Sequence, residues 1–119
     1  MTAYAIAQLI DVDLNDEVKE YLARIDETLE PYGGEFLVHG KVPEVMDGEF
    51  PGVVVVLRFP DTERAREWYA SPGYRAILPF RTRNARGGAV IVDGVPIGYR
   101  ARDHLAKVTA GPARPPARR

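Results

Sequence analysis

The run Val53-Val54-Val55-Val56-Leu57-Arg58-Phe59 restricts the fold of this chain more than any other segment. Its β-branched residues favour extended backbone over helix. Because the run is apolar at odd and even positions alike, it asks for cover on both faces, which places it in the interior of a sheet. The other elements are arranged around it.

Upstream, residues 3–11 alternate, with Tyr4, Ile6, Gln8 and Ile10 on one side and Ala3, Ala5, Ala7 and Leu9 on the other, and predict a first strand. Asn15, followed by Asp16 and Glu17, has the chemistry of a helix start, a capping side chain and then acids that favour the positive end of the dipole. Val18, Leu22, Ile25, Leu29 and Tyr32 make the apolar stripe of that helix, and Gly33-Gly34 supplies a left-handed stop. Glu35 to His39 predicts a second strand, followed by a Gly- and Pro-punctuated connection through Gly52. After the valine strand, Pro60-Asp61-Thr62 turns into a helix from Glu63 to Tyr69. Ser71-Pro72 then reads as a fresh cap with proline at the first helical position, so the second helix comes in two pieces, the later one ending near Pro79. Gly87-Gly88 leads into a last strand, Ala89 to Asp93.

The order βαββαβ is the α+β arrangement of the ferredoxin-like fold, with a four-stranded antiparallel sheet. Its helices cover one face. The other face would leave Tyr4, Ile6, Val54, Val56, Val90 and Val92 in water, an apolar patch that monomers rarely expose, so a homodimer is expected. Residues 1–94 are read as this domain, residues 95–109 as a C-terminal arm with some strand and some helical character, and residues 110–119, rich in Pro and Arg, as a disordered tail.

Composition narrows the function. Of 119 residues 45% are apolar, enough for one core. The net charge of −1 hides three arginines in the tail, and without them the body is mildly acidic, which argues against nucleic acid as a partner. There is no cysteine, which removes thiolate chemistry and cysteine-ligated metals. His39 and His104 are far apart and form no helical metal-binding pair, and no glycine pair is followed by the Lys and Ser/Thr of a phosphate loop. Neither a metal nor a cofactor is expected. The stretch from Met1 to Ala7 lacks the basic start of a signal peptide, and no segment has the length of a membrane span, so a cytoplasmic protein without a membrane partner is expected.

Three stretches resemble the bacterial family known as domain of unknown function 1330, within the dimeric α+β barrel superfamily. They are Tyr32-Gly33-Gly34-Glu35-Phe36-Leu37-Val38-His39-Gly40, the run from Phe59-Pro60-Asp61 to Ala65, and Trp68-Tyr69-Ala70-Ser71-Pro72-Gly73-Tyr74. The resemblance covers about residues 3–94. It implies a dimer of ferredoxin-like protomers and a pocket between the sheet and the second helix. It implies no reaction, since relatives in the wider superfamily range from cofactor-independent monooxygenases to cyclases, isomerases and haem-degrading proteins.

Strict alternation from Phe36 and Val38, taken as helix-facing, sends Leu37 and His39 to the helix-free side of the sheet, together with Gln8 and Arg58. On this reading His39 is the candidate general base, because histidine changes protonation near neutrality. Arg58 is the candidate clamp for a carboxylate or enolate, and it could equally pair with an acid across the dimer. Tyr74 is the candidate phenol donor. Trp68 and Tyr69 would wall a pocket, and Ser71 marks a helix start with backbone N–H groups free to meet a polar ligand atom. Each also has a plainer role, the aromatics as core and His39 as an interface residue. Arg75, Arg81, Arg83 and Arg86 read as a solvated basic face, with anion recruitment as the lesser reading.

Two functions fit these residues. One is a cofactor-independent enzyme that acts by proton transfer (isomerisation, cyclisation or oxygenation) on a small organic metabolite, with His39, Arg58 and Tyr74 catalytic and Gln8, Trp68, Tyr69 and Ser71 binding. The other is a non-catalytic dimeric module that binds a ligand or a partner.

Overall fold

A computed structural model describes residues 1–110. The elements run β1 (Ala3–Ile10), α1 (Asp16–Leu29), a 3-10 turn (Glu30–Tyr32), β2 (Glu35–Lys41), β3 (Val53–Phe59), α2 (Thr62–Ala70), α3 (Pro72–Thr82), β4 (Arg86–Asp93) and α4 (Ala101–Ala110). The sheet has the order β2-β3-β1-β4 with every neighbouring pair antiparallel. The valine strand is therefore interior, as its two-sided apolarity requires. This is the ferredoxin-like α+β fold. The tail expectation lies outside the described residues from 111 onward, and residue 110 closes α4.

Local chemistry sets the element boundaries. Asn15 caps α1 by accepting from the Val18 N–H at 3.1 Å, and Asp61 caps α2 by accepting from the Arg64 N–H at 2.8 Å. Ser71 breaks the second helix in two, its hydroxyl donating to the Trp68 carbonyl at 2.7 Å and accepting from the Tyr74 N–H at 3.3 Å. Behind the helices, Ile25, Leu29, Leu57, Phe59, Trp68, Tyr74 and Ile77 form the core.

Two helical expectations need correction. The buried stripe of α1 is Val18, Tyr21, Ile25 and Leu29, while Leu22 is 41% exposed. Residues 18, 21, 25 and 29 track the core across about three turns, whereas position 22 lies a step round the helix. Helix α3 does not stop near Pro79 but runs through it to Thr82. Proline withholds one N–H, yet the following turn is held by the Arg83 N–H on the Pro79 carbonyl at 3.0 Å and by the Asn84 side chain on the Phe80 carbonyl at 2.8 Å.

On the helix-free face, Tyr4 aligns with Arg58 and Val92, and Ile6 aligns with Val56 and Val90. Val90 and Val92 are 55% and 43% exposed. Beyond β4 the chain enters α4, whose residues 101–107 are all exposed. Among the described residues no helix is long and apolar enough to cross a membrane.

Candidate functional site

The site is shaped by β2, which does not alternate. Phe36 pairs with Leu57, Val38 with Val56, His39 with Val55 and Lys41 with Val54. Leu37 is thus an extra residue, a bulge that reverses the faces downstream of it, and Gly40, with φ 66°, is a second. Phe36 and His39 consequently share the helix side, where their rings stack with centroids 4.3 Å apart and planes 24° from parallel. The alternation reading is overturned here: His39 faces the helices, and Val38 lies on the open side with Val56. Gln8 and Arg58 do lie on the open face, which leaves both away from His39. Arg58 forms an ion pair with Glu35, its register partner on β2, and Gln8 donates to the Pro51 carbonyl at 2.9 Å.

Between sheet and helices lies an open cavity of about 230 Å³. His39 and Phe36 line it from β2, Val55 and Leu57 from β3, Ala5 and Ala7 from β1, and Ile91 from β4; Tyr21, Trp68, Tyr69, Tyr74 and Arg81 close it from the helices. Trp68, Tyr69 and Tyr74 thus meet His39 around one space. Ser71 does not line it, and its hydroxyl is committed to the helix junction. Trp68 is fixed in its rotamer, since its indole N–H donates to the Thr28 hydroxyl at 2.9 Å and its ring lies 4.1 Å from that of Tyr74, centroid to centroid.

One polar residue of this cavity, Tyr21, escaped the sequence reading, and Arg81 entered it only as part of a basic run. The hydroxyls of Tyr21 and Tyr74 are 2.7 Å apart, a buried bond linking α1 to α3. Arg81 lines the same cavity beside them. Burial, reinforced by the neighbouring Tyr74, pushes the Tyr21 phenol far above its ordinary value, so it remains a neutral donor. Burial opposes the Arg81 charge, but the phenol oxygens of Tyr74 and Tyr21 more than offset this and raise its pKa. Arg81 was counted with a solvated basic face, which holds only for its neighbours: Arg83 pairs with Glu17 at 2.6 Å and Arg86 with Asp11 at 2.7 Å. The missed signal was the spacing Tyr74, Leu78, Arg81, one face of a helix that continues past Pro79.

A second hollow of about 370 Å³ adjoins the first and shares Leu9, Tyr21, His39 and Arg81 with it. Among the described residues no cluster of acids and histidines could hold a metal ion.

A bulged, partly exposed histidine facing buried phenols and an arginine across an aromatic cavity, beneath an antiparallel sheet in 2-3-1-4 order, defines a ferredoxin-like α+β protein with an open cavity between sheet and helices. The chain belongs to the family described as domain of unknown function (DUF1330), whose model matches residues 2–95. Among solved structures it is similar to the methylated RPA0582 protein (TM-score 0.63, 14% identity, covering 82% of this chain and 84% of that one). It is also similar to a dimeric ferredoxin-like protein of unknown function from Jannaschia sp. CCS1 (TM-score 0.61, 17% identity, covering 81% of this chain and 100% of that one). A third is a variant of SnoaB, a cofactor-independent oxygenase from Streptomyces nogalater (TM-score 0.56, 13% identity, covering 82% of this chain and 98% of that one). At these identities the likeness is one of fold. No curated protein matches the sequence.

Proposed function

We propose that this chain works as a homodimer that takes a small organic metabolite into the cavity and transfers a proton without a cofactor, with His39 as the base. The observation that carries this is the placement of His39 on the rim of the cavity that Tyr21, Tyr74 and Arg81 close from the other side. An activated C–H proton would pass to the imidazole. The electron pair left behind would delocalise onto a substrate oxygen, where the Tyr74 hydroxyl and the Arg81 guanidinium can meet the developing charge. Return of the proton to another atom gives isomerisation. Attack of the carbanion on a carbonyl carbon of the same molecule, whose oxygen takes the proton back from the imidazolium, gives cyclisation. Addition to dioxygen as co-substrate, which the electron pair reduces to a peroxide that takes up the proton, gives oxygenation. Trp68 and Tyr69 give the wall on which a planar substrate would lie. The role assigned to Arg58 in the sequence reading passes to Arg81, and Gln8 and Ser71 drop out of the binding set.

The homodimer is supported by the uncovered face bearing Val90 and Val92 and by the dimeric description of the Jannaschia structure. That an oxygenase shares the fold supports the cavity as a place for chemistry.

The test is deuterium exchange at the activated carbon of a compact β-diketone probe, 2-acetylcyclohexanone, followed by NMR. The protein is expected to accelerate exchange, and His39→Gln to lower that acceleration by about a hundredfold. No acceleration, or acceleration indifferent to His39→Gln, removes the proposal. One observation favours the binding module instead: among the described residues no carboxylate is hydrogen-bonded to His39 to orient its ring. That module predicts saturable binding of the probe with no exchange.

A further inference from the structure

The polar groups of the cavity are unbalanced. The Tyr21–Tyr74 pair brings two hydroxyl protons, of which the bond between them uses one. Arg81 adds a guanidinium that only donates, and its neighbours in the cavity are phenols. Among the described residues no carboxylate forms an ion pair with Arg81, although Arg24, Arg58, Arg83 and Arg86 all have one. The remaining wall is apolar or aromatic. A half-buried cation among surplus donors, without an acid to answer it, is an arrangement completed by an acceptor from outside.

We propose that Arg81, with the Tyr21–Tyr74 hydroxyl pair, is a carboxylate-recognition site, so that the ligand of this cavity is a single-ring or similarly small planar monocarboxylate. The inference rests on the same cavity as the proposed function and names its substrate class: the oxygen that takes up charge when the proton leaves is then a carboxylate oxygen, held by the same Arg81 and Tyr74 groups. Size admits one ring: a cavity of about 150 Å³ holds benzene, and about 230 Å³ leaves room for one substituted ring. Shape sets the planarity, since Trp68 and Tyr69 present rings to the cavity. Charge sets the headgroup, since the forked guanidinium matches two carboxylate oxygens while the free phenol proton meets a remaining lone pair. A doubly charged phosphate would bring more charge than this one cation answers.

The experiment titrates the full chain at neutral pH with benzoate and with its neutral isostere benzamide, by calorimetry and by the side-chain Nε–H resonances of labelled arginine. Benzoate is expected to bind about tenfold or more tightly than benzamide and to move the Arg81 resonance, which benzamide leaves in place. Arg81→Gln should abolish the preference. The arginine spectrum of the unaltered protein carries the test even if that variant folds poorly. Equal affinity for the two probes, binding of neither, or a preference that survives in folded Arg81→Gln overturns the site. Loss of the exchange reaction with the benzoate preference intact would instead remove proton transfer and leave carboxylate recognition standing.

Discussion

Single side chains decide what this cavity can hold, and Tyr21 shows how one of them is tied to stability. Its phenol stays neutral in the fold but ionises in the unfolded chain above about pH 10. Its raised value therefore means that its stabilisation is complete below that pH and drains away as the pH rises beyond it. Replacing Tyr21 by Phe should cost about 1 kcal/mol at neutral pH through the lost bond to Tyr74. It should also flatten the fall in urea midpoint from about pH 8 to about pH 11. Equal alkaline slopes for both proteins would show that Tyr21 is not held neutral. The residue scale is also where sequence reading failed most. Trp68, Tyr69 and Tyr74 were legible because aromatic spacing on a helix is local information. Arg81 was not, because a proline two residues earlier reads as a stop and the bonds that carry α3 past it come from Arg83 and Asn84, beyond the last helical residue.

At the scale of elements, β2 governs the site and α2–α3 frames it. The break at Ser71-Pro72 and the valine strand could be read directly, since a cap, a proline and a two-sided apolar run each leave a mark within a few residues. The bulge at Leu37 leaves none: a leucine between phenylalanine and valine looks the same in a straight strand as in an irregular one. Only the pairing with β3 reveals that His39 sits opposite Val55 and faces the helices. Gly40 offers a way to test this irregularity. A Cβ there would meet nothing within 4 Å, so the cost of Gly40→Ala comes from the backbone at φ 66° alone. A loss of about 1–2 kcal/mol is expected in chemical denaturation with an unchanged m-value. A neutral outcome would mean that β2 straightens without penalty.

For the whole molecule, the open face of the sheet is the feature that most needs an explanation. If two copies meet there, Val92→Lys places the same fault at two symmetry-related points of the interface. At roughly a tenfold loss for each, dimer dissociation should rise about a hundredfold in sedimentation equilibrium. An unaltered protein that sediments as a monomer at high concentration would remove the dimer. The fold itself was legible because βαββαβ order follows from a handful of local patterns, whereas the cavity depends on a register that no local pattern encodes. Position matters as well: β2 borders the sheet, so lengthening or shortening it by one residue disturbs a single neighbour and leaves the central pair in place. Each such change would turn a different side chain of β2 toward the helices while the frame of the sheet stayed the same.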